Sequence, residues 1–347
     1  MINSLQSLRG IFAIMIFMHH WHFDSGVQFM AGGDCGVAFF IMLSGFVMYA
    51  AHRDRPIGDY KDYITKRIIR IYPLHLLCLI VALYLDGFFV SPGPGLLPVA
   101  SNLMLLQSWV PLPEYYFSGN SVSWCLSDLL FCYAVFPLLF GVMRAHFRAV
   151  LKTVGIVIVG YLCLICFVPS DLVTPLAYIN PSFRILDFVL GMILAHFYFG
   201  GCLKAPESAV GKNVMETGAV LLLVAAVLCY GLVPERFAVA SYWWAVVATV
   251  IAVFAVTDRR GGWLTRVLDC RMLVLFGNVS FSFYMIHVLF VRTLDIICGK
   301  AGIVLSGMPK LAVYLLLTIV TAYICNRLFE QPVSRLLLRV SGFGRRK

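Results

Sequence analysis

The sequence predicts an all-α fold: a polytopic transmembrane bundle of about ten helices, with both termini cytoplasmic. Three observations carry that prediction. First, 61% of the 347 residues are hydrophobic and only 13% are charged, with a mean hydropathy of +0.89. A soluble domain is roughly half apolar and a quarter charged. Second, the apolar residues gather into ten runs, each close to the ~20 residues that cross a ~30 Å hydrocarbon layer as a helix. Third, the lysines and arginines fall mainly in alternate loops.

The runs cover residues 7–23, 34–51, 67–90, 123–143, 151–169, 182–199, 214–232, 236–257, 272–295 and 311–329. Between the third and fourth lies a shorter apolar piece, VASNLMLLQSW (Val99 to Trp109), flanked by SPGPGLLP and VPLPEYY. Proline breaks helices, so this piece is expected to be re-entrant or interfacial. No repeat, low-complexity tract or soluble domain interrupts the pattern. The expected organisation is one membrane domain over residues 1–335 and a basic cytoplasmic tail over 336–347. Met1 to Gln6 lacks a basic leader region, so no cleavable signal is expected.

With the N-terminus inside, 21 lysines and arginines face the cytoplasm. Five (Arg184, Arg236, Arg292, Lys300 and Lys310) face outward. That asymmetry orients the bundle. It also accounts for the net charge of +10 through anionic lipid headgroups, without nucleic acid. Most of the eleven cysteines sit inside apolar runs and read as small buried hydrophobes. Cys163 and Cys166 form a lone CxxC at lipid depth, with no matching pair for a metal.

Polar groups inside such runs are costly and mark function or pairing. In SLRGIFAIMIFMHHWH, His20 follows Arg9 by eleven residues. At 100° per residue it is rotated only about 20° from Arg9, roughly 16 Å along the axis. His19 and His22 point elsewhere. Histidine suits proton transfer because its pKa lies near working pH. KRIIRIYP enters the third run with Arg67 and Arg70 on one face. Membrane anchoring accounts for such a pair. So does a phosphate site, which arginine grips through two parallel hydrogen bonds. Asp128 lies in SVSWCLSDLLFCY, a few residues into the fourth run. Arg184 and Asp187, three apart, read as an intrahelical pair. Ser280, Tyr284 and His287 in GNVSFSFYMIH form one polar stripe expected to face the bundle interior.

Together these stretches resemble the acyltransferase-3 family of integral membrane O-acyltransferases. Arg9 and His20 match its first-helix motif, an arginine or lysine, ten residues, then histidine. GGDCGVAFFIMLSGF is similar to its glycine-rich stretch, RIIRIYP to its third-helix RxxR, and FRILDFVLGMILA to its R…FxxGM segment. GNVSFSFYMIH and FEQP resemble its last two motifs, with Phe281 in place of the usual tyrosine. One segment departs. The family's W-S-L-S-V-E-E-x-F-Y reads WCLSDLLFCY here, so Leu129 and Leu130 occupy the two glutamate positions and Asp128 is the nearest acid.

The resemblance implies an acyltransferase at the inner membrane. An acyl group, expected to be acetyl, moves from cytoplasmic acyl-CoA to a hydroxyl of an envelope glycan or lipid-linked saccharide. No permanently bound cofactor and no metal are expected. His20 is the implied general base, with Arg9 and Asp128 beside it in the catalytic set. Arg67 and Arg70 are the implied CoA-phosphate ligands. Ser44, Trp124, Asn278, Ser280, Tyr284, His287 and Glu330 are candidate cavity residues. Ser44, Tyr284 and Asn278 are also candidate oxyanion donors. A covalent acyl-histidine is the open variant of this chemistry. The rival expectation is an exporter of a glycan or glycolipid using the same polar path.

Overall fold

The computed structural model describes residues 2–21, 32–87, 95–258 and 261–342. His22, most of SPGPG, Arg259, Arg260 and the tail residues Arg345, Arg346 and Lys347 lie outside the described residues. The described chain is helical and contains no strand.

Polar residues decide where the first helix starts. α1 (Asn3–His20) begins four residues before the first apolar run. Ser4, Gln6 and Ser7 of its opening turns are buried, and neighbouring segments satisfy them. Ser4 Oγ donates to the Phe254 carbonyl at 2.8 Å, and Ser7 Oγ to the Leu268 carbonyl at 2.5 Å. The helix ends at His20, so this histidine sits at a helix terminus and not in mid-span. α2 (Gly33–His52) follows. α3 (Tyr60–Leu85) starts seven residues before its apolar run because the Asp59 carboxylate accepts from the Asp62 N–H and caps it.

The Val99–Trp109 piece forms the short α4 (Leu96–Leu103) and a 3₁₀ turn at Gln107–Trp109, followed by α5 (Pro113–Tyr116). It is pinned to the bundle by buried polar contacts. His75 Nε2 lies 3.0 Å from the Asn102 carbonyl, and Ser108 Oγ donates to the Trp124 carbonyl at 2.8 Å. α6 (Trp124–Phe167) runs for 44 residues but holds a non-helical joint at His146, φ −137° and ψ 46°. That joint separates the fourth and fifth apolar runs.

The short α7 (Ser170–Val173) leads to α8 (Pro181–Phe199), α9 (Ala209–Cys229), the short α10 (Glu235–Ala238) and α11 (Ala240–Val256). α12 (Trp263–Leu268) is held by the fully buried Glu216 of α9, whose carboxylate accepts from the Gly262, Leu264 and Thr265 N–H groups. These are N-terminal donors that a helix cannot satisfy itself. α13 (Arg271–Ala301), α14 (Gly307–Cys325) and α15 (Gln331–Val340) complete the chain, the last two joined by a π-helical turn.

Eight helices among the described residues are long and apolar enough to cross a membrane. The difference from ten runs has two sources. α6 contains two runs in one helix, and the polar opening turns of α1 keep it out of the set. The fold is therefore a multi-pass membrane bundle.

In lipid, helices associate by close packing and not by escape from water. α2 packs most extensively on α8, and α1 on α13. Glycine makes the first contact possible: a Cβ on Gly45 would fall on the Phe188 carbonyl, and one on Gly191 on the Met42 carbonyl. Phe12 and Phe39 stack at 3.9 Å between α1 and α2.

Candidate active site

α1, α2, α3, α6 and α13 enclose a cavity of about 690 Å³. Its basic end carries Arg9, Arg67 and Arg70, residues separated by some 60 positions in sequence. Each is aimed there by its own neighbours. Arg9 donates to Gln6 Oε1 at 3.3 Å, and Gln6 Nε2 donates to Asn278 Oδ1 at 2.8 Å. Asn278 thus orients Arg9 through Gln6, and it lines not this cavity but a neighbouring recess of about 390 Å³. Arg67 lies over the rings of Tyr63 and Tyr133, 5.4 and 5.9 Å from their centroids. One of its Nη atoms is 3.4 Å from His52 Nε2, while its Nε is buried without a hydrogen-bond partner. Arg67 as a residue lines the cavity, and a guanidinium group there suits an anionic oxygen.

The deep end is formed by Phe40, Cys125, Ser280 and Tyr284. Tyr284 donates its hydroxyl proton to the Val122 carbonyl at 2.7 Å. Ser44 also lines the cavity, but it donates to the Phe40 carbonyl at 2.7 Å. Ser280 Oγ is buried and has no hydrogen-bond partner. Of these hydroxyls, Ser280 has its proton uncommitted.

His20 lies beyond this deep end and does not line the cavity. Its ring is exposed and stands 5.1 Å, centroid to centroid, from His287. The His287 ring is in turn 6.0 Å from Tyr284. The polar stripe of α13 is therefore buried as its spacing predicts. It runs from the cavity (Ser280, Tyr284) towards His20 (His287).

Three sequence candidates fall elsewhere. Asp128 is fully buried, does not line the cavity, and has neither carboxylate oxygen hydrogen-bonded. Its electrostatic neighbours are Arg184 and Asp187. Those two lie 3.5 Å apart as an intrahelical pair, both fully buried. Trp124 packs its ring on Tyr178 at 4.9 Å. Glu330 accepts from Ser282 Oγ and, at 2.9 Å, from Asn326 Nδ2. It borders a second recess of about 390 Å³ beside Arg70. Sequence reasoning missed Gln6, Tyr133 and Asp258, which also line the cavity. Gln6 carries a usable signal, a polar side chain one turn before Arg9. Tyr133 and Asp258 carry none, because only packing brings them there. No group of three or more metal-ligating side chains occurs among the described residues.

Fold and cavity define a multi-pass membrane protein with an arginine-lined chamber leading towards a histidine pair. Comparison with known proteins gives the class. A family model described as an acyltransferase domain, acyltransferase-3, matches residues 2–327, and the chain belongs to that family. It is similar to acyltransferase MdmB of Streptomyces mycarofaciens, 29% identical over 97% of this chain and 93% of the relative. It is similar to O-acetyltransferase OatA of Staphylococcus aureus, 21% identical over 96% of this chain. The match covers 57% of OatA's own length. It is also similar to exopolysaccharide production protein ExoZ of Rhizobium meliloti, 26% identical over 80% of this chain and 81% of the relative. No solved structure matches. The protein is a membrane O-acyltransferase that transfers groups other than aminoacyl groups.

Proposed function

We propose that the chain moves an acetyl group from cytoplasmic acyl-CoA to a hydroxyl of an envelope glycan or lipid-linked saccharide, at the inner membrane. The observation that carries this reading is one cavity with three arginines at one end and the His287–His20 pair beyond the other. Guanidinium groups pair with phosphate oxygens in parallel hydrogen bonds, and Arg67 and Arg70 both line the cavity. The donor's phosphates would rest on Arg67 and Arg70, with Arg9 alongside. The thioester would extend towards Ser280 and Tyr284. His20 takes the proton of the acceptor hydroxyl as its oxygen attacks the thioester carbonyl. The developing oxyanion needs a hydrogen-bond donor, and Ser280 is the candidate with an uncommitted proton. The carbon–sulfur bond then breaks, and the imidazolium returns its proton to the departing thiolate.

The acceptor class rests on the names of relatives, one an O-acetyltransferase and one concerned with exopolysaccharide production. Membership of an acyltransferase family favours this reading over a glycan exporter. The test is release of CoA thiol from acetyl-CoA by the protein in proteoliposomes, supplied with an envelope-glycan acceptor. Turnover by wild type and its loss in a folded His20→Ala protein are expected. Equal turnover in both would remove His20 from the chemistry. A purified protein that does not bind acyl-CoA would remove the donor.

A further inference from the structure

We infer that His287 is a positioning residue for His20: it fixes which nitrogen of His20 is the base and ties that ring to α13. The inference rests on the acyl-transfer reading above, in which His20 takes the acceptor's proton.

The argument is one of donors and acceptors. His287 is 1% exposed. Its Nδ1 lies 2.7 Å from the Tyr284 carbonyl oxygen. A carbonyl oxygen can only accept, so Nδ1 carries the proton of the neutral ring and Nε2 carries the lone pair. That Nε2 faces His20 Nδ1 at 3.2 Å. His20 Nδ1 is also 2.9 Å from the carbonyl oxygen of Ile16. Both of these neighbours accept, so a proton belongs on His20 Nδ1, and in the neutral ring the lone pair is then on Nε2. The base atom of His20 is thereby chosen by two acceptors, one from its own helix and one from across the bundle.

The two acceptors do different things. Ile16 holds His20 to α1, which ends at this residue. His287 holds it to α13, the helix that also carries Ser280 and Tyr284 into the cavity. The His287 ring is itself fixed. Phe283 lies nearly parallel to it, at 9° and 6.2 Å, and Phe17 stands 6.2 Å away on the α1 side. Two further titratable rings lie against the pair: His19, edge-on to His20 at 5.3 Å, and Tyr284, 6.0 Å from His287. When His20 Nε2 takes the hydroxyl proton, the ring becomes a cation. Its Nδ1–H bond to the His287 lone pair is then charge-assisted and stronger. No proton passes to His287, which keeps its own on Nδ1. The proton on His20 Nε2 leaves to the CoA sulfur as the carbon–sulfur bond breaks.

The test compares wild type, His287→Ala and His287→Gln, with His20→Ala as the control for the chemistry. For metal-ligating histidines, removing the hydrogen-bond partner that orients the ring costs about 10–100-fold, and the same scale is expected for a ring that must aim its lone pair at a proton. His287→Ala should therefore lose about that much kcat while the apparent KM for acetyl-CoA stays at the wild-type value. Glutamine presents a carbonyl oxygen near the place of Nε2, so His287→Gln should recover part of the loss. Unchanged kcat in His287→Ala, or equal loss in both variants with the fold intact, would overturn the inference. A second measurement needs no turnover. Nitrogen-15 spectra of histidine-labelled protein, with the His20 signal assigned from His20→Ala, should show His20 protonated on Nδ1. Protonation on Nε2 would overturn the inference. If neither wild type nor His20→Ala releases thiol, the acyl-transfer reading fails and the spectrum still tests the contact with His287; equal release by both removes His20 from the chemistry and overturns the inference.

Discussion

Two regions of the bundle hold buried or half-buried charges, and they are built in opposite ways. Around Arg9, Arg67 and Arg70 the guanidinium groups border a cavity of about 690 Å³ and have aromatic or amide neighbours. Around Arg184 the charges are sealed. Asp187 lies 3.5 Å away, Asp128 adds a second acid, and all three are fully buried. Three guanidinium groups and a single acid, Asp258, around an open space leave room for an anionic ligand. Ions of both signs packed together balance each other's charge, although no hydrogen bond joins them: the three Arg184 nitrogens and both oxygens of Asp187 and Asp128 are buried without a hydrogen-bond partner. An arginine in a transmembrane segment is therefore no sign of catalysis until its surroundings are known. Arg9 and Arg184 look alike in sequence and differ in what faces them.

This contrast can be broken by mutation. The largest effect is expected at the reacting end. His20→Ala should lower turnover by about 10²–10⁴-fold, the usual contribution of a general base, in a protein that melts like wild type. Next comes the sealed cluster. Arg184→Leu alone leaves buried acids unpaired and should cost about 3–5 kcal/mol of stability, read as a lower melting temperature in detergent. Arg184→Leu combined with Asp187→Leu should cost less than the single change, because the uncompensated charge goes with its partner. A double variant as damaged as the single would show that the pair does more than balance itself. At the open arginines the expected signature is reversed. Arg67→Ala with Arg70→Ala should raise the apparent KM for acetyl-CoA by about 10–100-fold, from losing hydrogen bonds to charged groups of about 1.5–3 kcal/mol, with little change in melting. An unchanged KM would return both residues to membrane anchoring. The smallest effect is expected at His19→Ala, which should keep turnover within about threefold, as for side chains outside the catalytic contacts. If His19→Ala proves more damaging than His20→Ala, the assignment of roles along α1 is wrong.

Much of the site was legible because its residues carry their signal locally. Arg9 with His20, Arg67 with Arg70, and Ser280, Tyr284 and His287 are each spaced to share a helical face, and burial in lipid makes every polar side chain conspicuous. Asp128 was legible as an acid in a span, but its partner was not. Arg184 comes from another helix, and no spacing rule connects the two. Asn278 and Glu330 were legible as polar, yet the structure places them on a second recess and not on the main cavity, one orienting Gln6 and the other accepting from Ser282 and Asn326.

The sequence by itself determined the all-α membrane bundle, because apolar runs of membrane-spanning length leave the backbone no other way to satisfy its hydrogen bonds in lipid. It also determined the family, through motifs in order along the chain. Helix ends were only partly determined. α1 and α3 extend beyond their apolar runs because buried carbonyls and an Asp59 cap satisfy polar first turns, and hydropathy does not see such partners. The tertiary structure alone decided which charges face an open cavity and which face each other. It alone brought His287 to His20 across 267 positions. Those outcomes depend on how closely α1 approaches α13 and α2 approaches α8. Close packing of glycine backbones sets that distance, and it is a property of helix pairs that no single helix encodes.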